Sequence, residues 1–367
     1  LHVHIEKEIK GLILSLPLVH PFRTSFGEER ERKFILIRAR KGEEEGWGEV
    51  VVSEAPLYSE ETLGSAVYVL KNYLFPLALK CHLQTHCFEA GAERFRGNPM
   101  AKSGVSLALW DLEAKKRGLP LFKIYGGGRE EIPSGVSVGI QKNLDGLLKR
   151  IEGFLSQGYL RVKVKIAPGW DCEVIKEVRR SFPQIPLGAD ANAAYGKEEV
   201  DRLLCMDEAD LLFLEQPLYP DDLYYHSLLR KRIKTPLALD ESIKNPRKME
   251  VGYLMGAYSI VNIKVGRMGG VGRVLKAVRF AQERGIPLFC GGMLESGVGR
   301  AHNLHLATLS PFVLPADLSK TERYYRRDII PPFEFSRPGY IPVPQGPGIG
   351  VDLDYRFLEK IQIEEFT

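Results

Sequence analysis

The stretch LRVKVKIAPG, Leu160 to Gly169, reads as a strand bound for a core, yet it carries Lys163 and Lys165. Residues two apart in a strand share a face, so both ammonium groups point the same way. Buried cations are costly unless something negative answers them. Counting onward from Lys165 supplies an answer. Asp190 closes IPLGAD 25 residues later, Glu215 closes DLLFLE after another 25, Asp240 closes TPLALD after another 25, and Lys264 closes SIVNIK after 24 more. A strand, a helix and two short loops take roughly that length. Each of the five residues therefore falls at the carboxyl end of its own strand.

Working outward, the same texture runs from Ser134 on. Short β-branched runs (GVSVGI, RVKVKI, IPLGAD, DLLFLE, TPLALD, SIVNIK, IPLFCGG, FVLPAD) alternate with amphipathic helical stretches. Eight such strands separated by helices predict an α/β chain with a (β/α)8-type barrel over 126–328, whose active face is the carboxyl end of the strands. Residues 1–125 predict an α+β capping domain: an antiparallel meander (GLILSLPLV, KFILIRARKG, GWGEVVVSE), then helices, among them AKSGVSLALWDLEAKKRG stopping at Gly118 and Pro120. GGGREEIP, Gly126 to Pro133, reads as a linker. The proline- and glycine-rich tail, 329–367, is expected to pack back on the capping domain.

Acidic residues number 47 in 367, so one spaced acid means little, and an acid after a strand is a common helix cap. Three on consecutive strands, with a lysine strand on either side, are what chance does not supply. Three converging carboxylates repel one another unless a cation lies between them. Oxygen donors without His or Cys select a hard ion, which points to Mg²⁺ at Asp190, Glu215 and Asp240, with Mn²⁺ as an alternative. Lys165 and Lys264, on the second and sixth strands, face each other across the barrel. Lys163 and Lys165, two ammonium groups on one face near Mg²⁺, are expected to disfavour each other's protonation and lower a lysine pKa toward that of a general base. A lysine on each side of one carbon can remove a proton from one face and return it to the other.

Composition excludes other classes. A net charge of +4, spread over interleaved charges, offers no nucleic-acid groove. No apolar run reaches the ~18 residues of a membrane span. Five cysteines without a CxxC pair suggest reduced thiols and a cytoplasmic protein. HNLH, His302 to His305, lacks the spacing and the glutamate of HExxH, and VGRMGGVGR, Val265 to Arg273, lacks GxGxxG spacing.

Taken together, Lys163-x-Lys165, Asp190-x-Asn192, Glu215-Gln-Pro, Asp240-Glu241 and Lys264 resemble the enolase superfamily, muconate-lactonising branch. HPFRTSFGEE, GNPMAKSGVSLALWDL, GGMLESGVGRAHN and ADLSKTERYYRRDII resemble its o-succinylbenzoate synthase/N-succinylamino acid racemase group. The resemblance implies Mg²⁺ on Asp190, Glu215 and Asp240, Lys165 as base on one face, and Lys264 as the opposite acid/base or as a cation over the intermediate. It implies that Lys163 helps neutralise the substrate carboxylate and that Asn192 supports metal or substrate. Arg267 resembles a marker of members with racemase activity, placed to lower the pKa of Lys264. Arg23, Phe26, Ser137 and Met293 are implied pocket residues. The implied partner is a small carboxylate substrate, and the implied assembly a homo-oligomer. The eighth-strand run carries one aspartate, Asp317, where dipeptide epimerases carry a pair. A cycloisomerase, a racemase of differently acylated amino acids, and a non-catalytic metal-binding barrel remain the competing readings.

Overall fold

The computed structural model describes residues 6–24 and 27–367. Phe26 lies outside the described residues. Strands β1 (Lys7–Thr24), β2 (Gly27–Lys41) and β3 (Glu44–Val50) form the expected antiparallel meander. Its alternating apolar face is covered by the helix Pro99–Lys116. That helix seats close to β3 because Gly48 leaves no side chain against the Gly104 carbonyl. Gly118, at φ +65°, turns the chain out of the helix as the sequence reading expected.

After β4 (Glu131–Pro133), seven parallel strands follow at the read positions. They are β5 (Gly135–Val138), β6 (Arg161–Lys165), β7 (Leu187–Asp190), β8 (Phe213–Glu215), β9 (Leu237–Leu239), β10 (Ile260–Ile263) and β11 (Leu288–Cys290). They lie side by side in chain order, with a helical connection behind each pair. The eighth run, FVLPAD, forms no regular strand. Pro315 has no N–H to give a ladder, and the segment closes the barrel through separate bridges. Phe312 pairs with Leu288, Ala316 with Ser134, and Asp317 N donates to Cys290 O at 2.8 Å.

All five residues of β6 are buried. Val162 and Val164 pack into the helix layer, which leaves Arg161, Lys163 and Lys165 for the barrel interior. Farther along, β12 (Tyr340–Pro342) pairs with β4, and β13 (Gln362–Phe366) adds to the outer edge of the capping sheet beside β1.

The thiol expectation is corrected. Cys81–Cys87 and Cys172–Cys205 are disulfides, with Cα separations of 5.6 and 6.0 Å, and only Cys290 is a free, buried thiol among the described residues. Sequence spacing hid both pairs. One joins successive short helices, the other joins two neighbouring βα units 33 residues apart. The cytoplasmic expectation loses the support it took from reduced cysteines. No helix among the described residues is long and apolar enough to cross a membrane.

Candidate active site

Register places the read residues in one layer. Lys165 pairs with Asp190 and Asp190 with Glu215 across three adjacent strands. Asp240 and Lys264 stand one residue past β9 and β10, on the same rim. Just beyond the strand ends the backbone turns sharply. Asn192, Gln216 and Leu294 take positive φ of 44°, 39° and 56°, conformations that cost a non-glycine residue energy and cluster at functional sites. Gln216 repays part of that cost by tying two strand ends together. Its Oε1 accepts from Asp240 N and Ser242 N at 3.1 Å, and its Nε2 donates to Ser242 Oγ at 2.7 Å.

Above this rim lies a cavity of about 450 Å³, roofed by β2 and by the loop carrying Tyr58. Lys163, Lys165, Asp190, Asn192, Lys264, Ser137 and Met293 line it. Arg23 does not: its guanidinium is paired with Glu28, and only its backbone reaches the barrel, accepting from Ile140 N at 3.4 Å. Arg267 sits behind Asp240, out of the cavity.

Asp190, Glu215, Asp240 and Asp317 are each met by a cation of the protein itself. Lys163 Nζ donates to Glu215 Oε2 and Asp317 Oδ2, each at 2.6 Å, and lies 3.3 Å from Asp190 Oδ2. Lys165 Nζ donates to Asp190 Oδ2 and Asn192 Oδ1 at 2.6 Å. Lys264 Nζ donates to Asp240 Oδ2 at 2.7 Å and to the Tyr58 hydroxyl at 3.0 Å. Arg267 pairs with Asp240 and donates to Tyr58 at 3.2 Å.

One expectation changes here. Burial alone would depress the Lys163 ammonium pKa, but Asp317, Glu215 and Asp190 outweigh it and hold that pKa above its usual value. Burial is likewise outweighed at Lys264, by Tyr58, Glu241 and Glu215, so its pKa is raised too. Carboxylates at Lys163, and Tyr58 with carboxylates at Lys264, outweigh burial. The Arg267 charge is itself paired with Asp240. Among the acids, burial would raise Asp190, yet Lys165 and Lys163 bring it down to about 2. Glu215 is raised by burial and by Asp190, and Glu241 by burial.

The repulsion that was expected to demand a metal is answered here by ammonium and guanidinium groups. Among the described residues no three His, Cys, Asp or Glu side chains are arranged to hold an ion. The chemistry of the donors still suits Mg²⁺. They are all oxygen, and Glu241 Oε2, beside Asn192 at the rim, is buried with no hydrogen-bond partner. Asp190, Glu215 and Asp240 are the residues that would hold the ion.

Sequence reasoning passed over three residues of the site. Asp317 binds both Lys163 and Arg161, the latter at 2.5 Å. Arg161 was legible, since it shares the two-residue period of Lys163 and Lys165. Tyr58 reaches the mouth from 182 residues before Asp240, and no spacing rule reports such a contact.

A capped barrel with lysines and carboxylates converging on its mouth defines a class of enzyme that moves protons on carbon next to a carboxylate. Residues 10–126 match the family described as Mandelate racemase / muconate lactonizing enzyme, N-terminal domain, and 146–357 match Enolase C-terminal domain-like. The o-succinylbenzoate synthase of Geobacillus stearothermophilus is 46% identical over 96% of this chain and 94% of that one. The N-succinylamino acid racemase of Thermus thermophilus is 44% identical over 96% and 95%. An enolase-superfamily structure from Listeria innocua superposes with a TM-score of 0.94 at 38% identity, covering 100% of this chain and 99% of that one. The chain belongs to the mandelate racemase/muconate lactonizing enzyme family of the enolase superfamily.

Proposed function

We propose that the chain is an o-succinylbenzoate synthase that also racemises N-succinylamino acids. The observation that carries this reading is the pair Lys165 and Lys264, on the second and sixth barrel strands, both opening onto one cavity. Each can reach a carbon held between them from its own side. Lys165 takes the α-proton. In racemisation Lys264 gives a proton to the opposite face, and in the reverse direction the roles exchange. In the dehydration the C–H electron pair becomes the new C=C bond, hydroxide leaves, and the proton collected by Lys165 is available to turn it into water. Lys264 then stands as a cation over the electron-rich intermediate, fixed by Asp240 and Tyr58. Mg²⁺, when bound at Asp190, Glu215 and Asp240, supplies positive charge where the substrate carboxylate gathers electrons.

Proton exchange followed by NMR in D₂O tests the reading. With Mg²⁺ and each enantiomer of an N-succinylamino acid, the wild type is expected to exchange the α-proton of both. Lys165→Ala and Lys264→Ala should each abolish exchange of a different enantiomer. Dehydration of the cyclohexadiene precursor should fall by at least ~10³-fold in Lys165→Ala, as expected for loss of a positioned base. Chelation of divalent ions should stop both reactions. A protein that carries out neither reaction with Mg²⁺ bound would return the assignment to a cycloisomerase or to a binding barrel.

A further inference from the structure

The cations on the cavity wall differ in one respect. Arg30 pairs with Glu28, Arg32 with Glu29 and Lys33 with Glu54. The three barrel lysines are held by barrel carboxylates. Arg323 lines the same cavity and, among the described residues, has no carboxylate within ion-pair distance. The acid next to it in sequence, Glu322, is engaged by Lys320 instead.

Rings, not acids, hold Arg323 in place. Its guanidinium carbon lies 5.3 Å from the centre of the Phe154 ring and 5.7 Å from that of Tyr324. One donor is used, Nη2 to Ser137 O at 3.0 Å, while Nε is buried and unmatched. Stacking fixes a guanidinium without consuming its in-plane donors. Carrying no acid, the guanidinium keeps donors for an acceptor that a ligand brings. The surroundings add positive charge. Arg150, on the helix Leu144–Ser156, also has no carboxylate partner among the described residues, and burial together with Arg323 lowers its pKa. His20, on the bulge of β1, is lowered by burial and by Arg150, Arg323 and Arg326.

We propose that Arg323 selects the substrate by binding a second carboxylate, carried at the end remote from the reacting carbon. This rests on the reading of the site given above and adds a substrate requirement to it. The reacting carboxylate belongs at the barrel rim, and the remote one lies against the Ser137–Arg323 wall. A succinyl group supplies such an end. An acyl group of equal length that ends in methyl leaves the guanidinium unmatched.

Isothermal titration calorimetry with Mg²⁺ present tests this by comparing 2-succinylbenzoate with 2-butanoylbenzoate, in which methyl replaces the remote carboxylate. Wild type should bind the dicarboxylate at least 10-fold more tightly. Arg323→Gln should remove that preference while its affinity for the monocarboxylate stays within twofold. Equal affinities in the wild type overturn the proposal, as does a preference that survives in Arg323→Gln. If Arg323→Gln binds neither ligand, Arg323→Lys decides. An undiminished preference there overturns the proposal, because an ammonium cannot reproduce a two-point guanidinium contact, and a preference reduced at least threefold supports it. A wild-type preference in a protein that neither dehydrates nor racemises would keep the carboxylate subsite and remove the reaction assigned above.

Discussion

Asp317 shows how one carboxylate can organise the interior of a barrel. Its two oxygens neutralise Arg161 below and Lys163 beside it, and both cations are almost wholly buried. Arg161 lies 5.7 and 5.6 Å from the centres of the stacked Phe213 and Phe289 rings, where no water can replace a lost partner. Asp317→Asn keeps the shape and removes the charge. Breaking a buried pair from one side costs about 3–5 kcal/mol, so the urea midpoint should fall accordingly. Leu318→Val next door should cost about 1 kcal/mol, the usual price of a small core change. Equal losses in the two variants would mean that Asp317 serves packing and not charge. The residue was visible in the sequence as the end of the eighth run, but its partners were not. Period two predicts which way a side chain points, and says nothing about which acid will meet it.

At the scale of elements, the strand ends were legible because one βα unit has a nearly constant length and each strand ends in a charged residue. The contribution of the cap was not, because its contacts span long separations. Glu49, on β3, accepts from Ser296 N at 3.1 Å, Ser296 Oγ at 2.6 Å and Gly299 N at 3.0 Å, clasping the start of the helix Gly297–Leu306. Burial pushes its carboxyl up to about 7. Glu61 does the same at the helix Pro99–Lys116, also at about 7 through burial. Folded pKa values above the ordinary carboxyl value mean that both groups favour the fold at low pH and lose that contribution as pH rises toward 7. Three histidines act in the opposite sense. His226, His302 and His305 are buried neutral, at about 4, so they cost stability as pH falls from 6.5. The HNLH pair clips its helix to cap and tail: His302 bonds to Trp47 O at 2.7 Å and His305 to Ile349 O at 3.1 Å. The histidines make stability fall on acidification between pH 6.5 and 4.5, and raised carboxyls such as Glu49 and Glu61 oppose that fall. Glu49→Gln removes one counterweight and should steepen the fall by up to ~1.4 kcal/mol per pH unit in denaturant titrations. An unchanged slope would place the Glu49 carboxyl in the ordinary range.

Over the whole molecule, cap and barrel each carry one covalent staple within themselves. In the loop-entropy account, the Cys172–Cys205 bond, closing 33 residues, is worth about 4 kcal/mol, and Cys81–Cys87, closing 6, about 2 kcal/mol. Reduction should lower the urea midpoint, and Cys172→Ser should reproduce most of the loss. An identical midpoint with and without reductant would show that neither bond forms in solution. Nothing in the sequence announced these pairs, since one forms where two short cap helices meet and the other where two βα units pack side by side.

The strand Gln362–Phe366 has a consequence of a different kind. Its Phe366 ring rests on Gly11, where no β-carbon would fit, and stacks on Phe75 at 5.8 Å. The sheet begun by strands made before the barrel is thus finished by a segment made after it. Domains ordinarily mature in the order of synthesis. Here the roof of the binding cavity belongs to a unit that is started before the barrel and completed after it, so a nascent chain can wind its barrel and still have an unfinished roof.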